Sequence, residues 1–247
     1  CCRQGSLRMS LFHPFIASEI FALRPDFRAL CIYAAGITNS AGTSDTLAAL
    51  DCACRSPCAE RWAEHHRAAW REAYRAFGAK PQRTPCSAEA LLKRVARDGV
   101  LPSVNAVVDL YNAVSLRFAI PVGGENAESY AGAPHLVRAT GSEKFETMQA
   151  GAPHTEAPEP GEVIWRDEQG ITCRRWNWRQ CARTRIEITT TNMWFVLEAL
   201  NPMPDTVLME AGTALIRGLR MLSPQSTVEA CLLDSHDSTA LSPNFFI

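Results

Sequence analysis

The sequence predicts an α+β fold in which helices flank antiparallel strands. Apolar residues recur at helical spacing from Trp62 to Phe77, whereas short strand-like segments dominate after Gly124. Of the 247 residues, 47% are hydrophobic and 21% are charged. These proportions are typical of a globular protein with a sizeable core, and they exclude a disordered, collagen-like or coiled-coil chain.

One strand and a polar loop open the predicted order of elements. The β-like run Phe27–Ala35 ends at Gly36, and a loop rich in Gly, Ser and Thr follows at Thr38–Ser44. Ser56 and Pro57 have the residue types of a helix N-cap and first helical position. We therefore predict that a long helix begins there.

Three helices are predicted in succession from this point. The first is amphipathic, and its two adjacent histidines, His65 and His66, are interpreted as solvated side chains. Ser87 is predicted to cap a second helix that ends at Gly99. The third, Val104–Phe118, is the most apolar helix candidate in the chain.

The second half of the chain is predicted to be mainly strands. The turn-forming sequence Asp167–Gly170 separates Glu162–Arg166 from Ile171–Trp178, which predicts a β-hairpin. The other segments are predicted, in order, as a short strand, an exposed connection, a further strand and two helices: His135–Ala139, Ala150–Pro160, Arg185–Thr191, Asn192–Leu200 and Thr206–Leu222.

Charge and cysteine content exclude several function classes. The formal net charge of −1 argues against a strongly basic protein that coats nucleic acid. No apolar run reaches the about 18 residues that a membrane span needs, and no secretory signal is recognisable. We expect a cytoplasmic protein with reduced thiols, no membrane partner and no DNA partner.

A cluster of cysteines raises the question of a metal site. Cys52, Cys54 and Cys58 form a CxCxxxC pattern, but this spacing matches neither a zinc-ribbon pair nor a common iron–sulfur pattern. We therefore expect no metal and no cofactor.

The apolar helix candidate carries its polar residues at regular spacing. Asn105, Asp109 and Asn112 are separated by four and then three residues, which places them on one helix face. Buried amides and carboxylates need hydrogen-bond partners. The stripe is therefore either an internal network that fixes neighbouring loops or one wall of a polar pocket.

An arginine- and tryptophan-rich segment, residues 173–185, is the second candidate site. As a strand, it would place two sets of side chains on opposite faces: Arg174, Trp176 and Trp178 on one, and Arg175, Asn177 and Arg179 on the other. Arginine binds phosphates with two parallel hydrogen bonds, and indole rings stack on unpaired bases. The segment is either an RNA-binding surface or a hairpin with core tryptophans and a solvated arginine face.

Two further candidates complete the set. Gly123 and Gly124 follow Pro121 in a predicted loop, where paired glycines permit either close backbone approach to a ligand or a tight turn. Glu198 is the one carboxylate within the apolar run MWFVLEAL. A buried carboxylate serves as an acid, a base or a specificity group, or forms a salt bridge.

Several sequence blocks together resemble the stand-alone relatives of the phenylalanyl-tRNA synthetase β-subunit editing domain, the tRNA-binding B-three/B-four type. These blocks are LPSVNAVVDLYNAVSLRFAIPVGGENAESYAG, LVRATGSEKFETM, GEVIWRD and CRRWNWRQ. The resemblance implies a mostly antiparallel, β-sandwich-like core flanked by helices. It implies a single domain over residues 15–225 with a helical insertion at 56–99, preceded by a disordered lead at 1–14 and followed by a C-terminal tail at 226–247.

The resemblance also implies a function, namely binding of tRNA or aminoacyl-tRNA and hydrolysis of a mischarged ester in trans. It implies catalytic roles for Asn105, Asp109, Asn112, Gly123 and Gly124. It implies that the substrate contacts Pro121 and Glu198, and that RNA contacts Arg174, Arg175, Trp176, Trp178 and Arg179. A buried acceptor such as Glu198 would select an amino acid that carries a hydroxyl group.

Two alternatives stay open at this point. A non-catalytic module of the same fold would bind RNA or an amino-acid-like ligand without turnover, and Gly123 favours it because the family has a histidine there. The second alternative is an interaction protein that binds no RNA. A tRNA ligase is not expected, because 247 residues are too few for a synthetase.

Overall fold

The computed structural model describes residues 13–149, 151–236 and 238–241. Within them the helices are α1 (Ser18–Leu23), α2 (Ser44–Arg55), α3 (Arg61–Ala76), α4 (Ser87–Asp98), α5 (Ala106–Phe118) and α6 (Asp205–Leu222). The strands are β1 (Phe15–Ile16), β2 (Arg28–Ala35), β3 (Val122–Asn126), β4 (His135–Arg138), β5 (Phe145–Gln149), β6 (Ala152–Glu156), β7 (Val163–Arg166), β8 (Ile171–Arg174), β9 (Arg179–Gln180), β10 (Asn192–Ala199), β11 (Thr227–Leu233) and β12 (Ser238–Leu241). The predicted N-terminal lead lies outside the described residues except for His13 and Pro14.

The central layer is a five-stranded antiparallel sheet in the order β12-β11-β2-β10-β3. Side chains alternate across it, so that Leu30 and Phe195 belong to one core cluster while Cys31 and Val196 belong to another. Both faces of the sheet are covered. Every residue of β10 is therefore buried.

One face of the central sheet packs against α5 and α6. The apolar side chains of both helices join those of β2 and β10 in a single cluster. The two helices approach closely at Gly218, where an added Cβ would lie 2.4 Å from Cδ1 of Leu110. This contact fixes α5 beneath the edge of the sheet, next to β3.

The other face of the central sheet packs against a second sheet, in the order β1-β4-β7-β8-β9, and against α3. Its centre is aromatic: the ring of Trp176 lies 5.2 Å from that of Trp70 and 4.9 Å from that of Phe27, both edge to face. Two sheets with helices around them confirm the predicted α+β, sandwich-like class.

His66 departs from its predicted solvated position. It is fully buried on α3, its Nδ1 lies 3.0 Å from the carbonyl oxygen of Ala119, and its Nε2 accepts from Trp70 Nε1 and from the backbone N–H of Leu200. Burial lowers the pKa of His66 to about 4. A neutral imidazole thus joins α3 to the ends of α5 and β10.

The segment Asn192–Leu200, predicted as a helix, is the central strand β10. A strand buried on both faces is a continuous apolar run, and such a run has no alternation that would distinguish it from a buried helix. The predicted strand Arg185–Thr191 is instead an irregular connection into β10.

A helix that the sequence analysis did not predict, α2, precedes the predicted helical region. Thr43 begins it with a capping box in which Thr43 and Thr46 each accept a hydrogen bond from the other's backbone. Ser56, predicted to begin a helix, follows the last residue of α2 instead, and α3 begins at Arg61. The helical segment is therefore longer than the predicted insertion at 56–99.

Two segments predicted to be irregular contain strands. The predicted connection Ala150–Pro160 contains β6, which pairs with β5. The predicted C-terminal tail, 226–247, contains β11, which pairs with β2 in the central sheet and buries Cys231 opposite Cys31. Among the described helices, none is long and apolar enough to cross a membrane.

Candidate functional site

A cleft of about 250 Å³ lies at the free edge of β3, the last strand of the central sheet. It is bounded by α4 and α5, by β3 and β10, and by the turn between β8 and β9. Most of its wall is apolar or aromatic. The polar side chains that line it include Ser87, Asn112, Glu125, Asn177, Gln180 and Glu198.

Glu198 lies at the inner end of this cleft and is fully buried. Its Oε1 accepts from Trp165 Nε1 at 2.9 Å, and its Oε2 accepts from Asn177 Nδ2 at 2.8 Å. Burial raises the pKa of Glu198 to about 7, although these donors and the indole of Trp176 oppose the rise. The carboxyl group is thus fixed in position and changes charge near neutral pH.

A second buried carboxylate, Glu125, also lines the cleft. It follows the two glycines on β3 and accepts a short hydrogen bond from the hydroxyl of Tyr130. Burial raises the pKa of Glu125 to about 7, and Arg183 is among the groups that oppose this rise. The cleft therefore contains two glutamates on adjacent strands, both with pKa values near neutrality, as is common in sites that transfer protons.

Gly123 and Gly124 are in β3, not in the loop that the sequence predicted. They pair with Val196 and Phe195 of β10, and a Cβ on Gly124 would lie 2.8 Å from Cε1 of Tyr111. The carbonyl of Gly124 accepts a hydrogen bond from Gln180 Nε2, and the N–H of Asn126 donates to the carbonyl of Thr184. The even-numbered residues of β3 therefore direct their backbone N–H and C=O groups away from β10. By the same alternation, the N–H of Gly124 lies on the free edge of the sheet.

Only one member of the predicted polar stripe lines the cleft. Asn112 is half-buried there, and among the described residues its amide has no hydrogen-bond partner. Asn105 instead precedes the helix as its N-cap, accepting from Val108 N–H and donating to the carbonyl of Ile186. Because a cap residue has extended rather than helical backbone angles, Asn105 does not share the helical face.

Asp109 is likewise part of an internal network. It is fully buried and accepts from the backbone N–H of Val104 and from the hydroxyl of Ser103. Pro121 also lies outside the cleft lining, and its carbonyl accepts from the N–H of Glu198. Asn105, Asp109 and Pro121 therefore stabilise the frame of the site, and their contacts in the structure are internal rather than with the cleft. Their predicted catalytic and substrate-contacting roles stay predictions.

The arginine-rich segment is not a continuous strand. Arg175 and Trp176 have positive φ angles of 46° and 66°, so residues 175–178 turn between β8 and β9. Trp176 is fully buried in the aromatic cluster. Arg174 is also buried, with two hydrogen bonds to Glu162 and one to Glu156. Both side chains are buried in this structure, so the RNA contacts predicted for Arg174 and Trp176 stay predictions that the fold does not support.

The other three predicted RNA contacts form one partly exposed group. The guanidinium carbons of Arg175 and Arg179 lie 4.4 and 5.6 Å from the ring centre of Trp178. Arg179 also lies 3.4 Å from Glu156 and donates to Thr147. The positive charge of this segment is thus partly balanced within the protein.

Sequence reasoning missed several residues of the cleft. Glu125 was detectable, because an acidic residue directly follows the paired glycines. Asn177 was placed on an arginine face, yet it joins Glu198 to Tyr74, whose hydroxyl donates to its Oδ1 at 2.8 Å. Ser87 was predicted only as a cap, but its hydroxyl is buried and without a hydrogen-bond partner among the described residues.

The CxCxxxC residues do not form a metal centre. Cys54 is buried whereas Cys52 is exposed, and both are on α2. Across the part of the chain that the structure describes, no group of three or more His, Cys, Asp or Glu side chains has an arrangement that could hold a metal ion.

Comparisons with known proteins agree with this architecture. Residues 69–230, about two thirds of the chain, match the family model of the B3/4 domain. Among solved structures, the fold is similar to the crystal structure of an N-terminal fragment of the phenylalanyl-tRNA synthetase β-subunit from Pyrococcus horikoshii, with a TM-score of 0.53 and 9% sequence identity. The match covers 93% of this chain and 54% of that one. No curated protein sequence matches the chain.

Proposed function

The chain belongs to the B3/4 domain family, and from this premise we propose that it binds aminoacyl-tRNA and hydrolyses the ester bond of mischarged molecules. The observation that carries the proposal is the cleft at the edge of β3, where Asn112 and the N–H of Gly124 lie near two buried glutamates, Glu125 and Glu198. The fold alone does not support an activity, whereas these groups have the chemistry of ester hydrolysis.

The size and wall of the cleft suit one aminoacyl group. Its volume of about 250 Å³ is below the range of about 300–1,000 Å³ that is common for drug-sized ligands. The rings of Trp165, Trp176 and Trp194 line it. These walls would pack an apolar side chain, while the carboxylate of Glu198 accepts a hydrogen bond from a hydroxyl group at its end.

Hydrolysis of an aminoacyl ester requires a positioned water molecule and a donor for the oxyanion. The N–H of Gly124 is the donor that the free sheet edge offers, and Asn112 would orient the ester or the water. Water adds to the carbonyl carbon while one of its protons passes to Glu125. The ester C–O bond then breaks, and the ribose oxygen that leaves takes this proton back from Glu125. A pKa near 7 suits Glu125 to this exchange.

A deacylation assay over a panel of mischarged tRNAs tests this proposal. We expect Asn112→Ala to lower the hydrolysis rate by about tenfold or more, and Glu198→Gln to reduce the preference for hydroxylated amino acids. Glu210→Gln, a change at an exposed glutamate on α6, is the matched control. Absence of hydrolysis with every aminoacyl-tRNA pair would exclude the enzyme.

The second candidate is a module of the same fold that binds without turnover. It is favoured by the engagement of both Glu198 oxygens with protein donors, which suits a fixed recognition site. Binding of a non-hydrolysable aminoacyl-adenosine analogue together with no deacylation would support this candidate over the first.

A further inference from the structure

A second cavity, of about 500 Å³, lies on the other side of the Arg175–Trp178 stack. Trp178 lines the cleft and Arg175 lines this second cavity, so the stacked pair forms the wall between them. Its polar lining comes from the connection between α3 and α4, from the loop before β7 and from the turn between β8 and β9: Lys80, Arg83, Thr84, Glu159, Glu162 and Arg175. We call this cavity the cationic hollow.

The cations of the hollow are less well balanced than those of the arginine-rich segment. Lys80 and Arg83 are exposed and form no ion pair with any described residue. Of the two acidic residues, Glu162 is already bound by Arg174, with both its oxygens accepting from that guanidinium. Arg175 lies 3.8 Å from the same carboxylate, so Glu159 is the one carboxylate of the hollow left to balance Lys80 and Arg83.

Backbone hydrogen bonds order the turn that carries two of these cations, Lys80 and Arg83. The carbonyl oxygen of Lys80 accepts from the N–H groups of Arg83 and Thr84 at 2.9 and 3.0 Å, and also from the hydroxyl of Thr84. Pro81 and Pro85 restrict the same turn. A turn that is ordered before binding lowers the conformational cost of binding a ligand.

We propose that the cationic hollow binds the phosphates of the RNA strand whose aminoacyl end enters the cleft. This inference rests on the proposed function. The cleft holds only an aminoacyl group, so the nucleotides that carry it must lie outside, and the hollow lies directly beyond the Arg175–Trp178 wall. Lysine and arginine side chains bind phosphate oxygens through charge-assisted hydrogen bonds, and such contacts position a strand without reading its sequence.

The binding surface differs from the one that the sequence predicted. Arg174 and Trp176 are buried, whereas Lys80 and Arg83 come from a linker about 90 residues earlier in the chain. Arg175 belongs to both sets. Burial lowers the pKa of the Arg175 guanidinium because it disfavours the charged form, and a phosphate anion nearby would stabilise that charge.

Fluorescence anisotropy with a labelled, uncharged RNA minihelix that ends in single-stranded CCA tests the inference. We expect the double variant Lys80→Ala/Arg83→Ala to bind the RNA about tenfold more weakly. The slope of the logarithm of the binding constant against the logarithm of the salt concentration should become less steep by about one for each residue removed. Glu159→Gln should bind about threefold more tightly, because it removes a negative charge from the hollow. Arg97→Ala, a change at an exposed arginine paired with Asp98, is the control and should bind as the wild type does.

The outcomes separate this inference from the proposed function. Unchanged RNA affinity in the double variant overturns the inference, and so does tighter binding of labelled poly-glutamate than of RNA, which would indicate an acidic protein partner. Hydrolysis of an aminoacyl-adenosine, which lacks the phosphates, should be equal in the wild type and the double variant. If RNA binding follows the prediction but no ester is hydrolysed, only the proposed deacylase fails.

Discussion

The change Glu198→Gln tests whether the carboxyl group in the cleft keeps its proton in the folded protein. Burial raises the pKa of Glu198 from 4.5 to about 7. Between these values the folded protein binds more protons than the unfolded chain, so the free energy of unfolding falls as the pH rises and stays lower above pH 7. The full effect is about 3 kcal/mol.

Two other groups act in the same pH range, so the wild-type profile alone is not diagnostic. Glu125 has the same sign as Glu198, because burial also raises its pKa to about 7. His66 has the opposite sign, because burial lowers its pKa to about 4 and its neutral form is lost as the pH falls. The difference between wild type and Glu198→Gln isolates the one carboxyl group.

The assay is urea unfolding followed by tryptophan fluorescence at several pH values from 4 to 8. The free energy of unfolding of the wild type minus that of the variant should decrease by about 3 kcal/mol across this range, or by about 1 M urea in midpoint. Glutamine places an N–H₂ group against Asn177 Nδ2, so two donors face each other. This lowers the free energy of unfolding of the variant by about 1–3 kcal/mol at every pH, and it therefore shifts the difference curve without changing its slope. Parallel curves for the two proteins would refute the reasoning, and Glu210→Gln should give a curve parallel to that of the wild type.

Three further predictions concern the frame of the site, and each is checked by its own measurement. Asp109→Ala should lower the free energy of unfolding by about 2–3 kcal/mol, because the buried partners of Asp109 lose their acceptor. Asn112→Ala should change it by less than about 0.5 kcal/mol. Equal losses for the two variants in urea unfolding would contradict this prediction. Gly124→Ala should lower the melting temperature, at a cost of about 1–3 kcal/mol, because the added Cβ would lie 2.8 Å from Tyr111; an unchanged melting temperature would show that the ring moves freely. The imidazole of His66 should stay neutral down to about pH 5 in an NMR titration, since burial lowers its pKa to about 4, and a midpoint above 6 would be incompatible with its buried position.

Local patterns in the sequence were sufficient for most helices and for one hairpin. Helical spacing located α4, α5 and α6, and the turn after Arg166 located the pairing of β7 with β8. Each pattern depends on residues within a few positions of each other, and side chains four or fewer positions apart determine which face of a helix is apolar.

Elements defined by long-range pairing were not predictable in this way. β10 is buried on both faces because β2 and β3 flank it and two layers cover it, so its sequence is uniformly apolar. Gly123 and Gly124 resembled a loop because glycine usually marks turns, whereas Gly124 is required for the close approach of Tyr111. The strand β11 lies next to Ser-rich sequence and was therefore predicted as part of a tail, whereas its pairing with β2 places it in the central sheet.

By itself, the sequence determined the α+β class and the main helices, and seven of the site residues that it predicted line the cleft: Asn112, Gly123, Gly124, Trp176, Trp178, Arg179 and Glu198. The tertiary structure alone decided what surrounds each charged side chain. Glu198 has its raised pKa because the fold buries it fully, and Trp165 and Asn177, 33 and 21 residues away, donate hydrogen bonds that oppose this rise. Arg174 is buried and held by Glu162, so it is unavailable to RNA. Burial and partner contacts set the charge and accessibility of a residue, and both depend on groups that only the fold brings together.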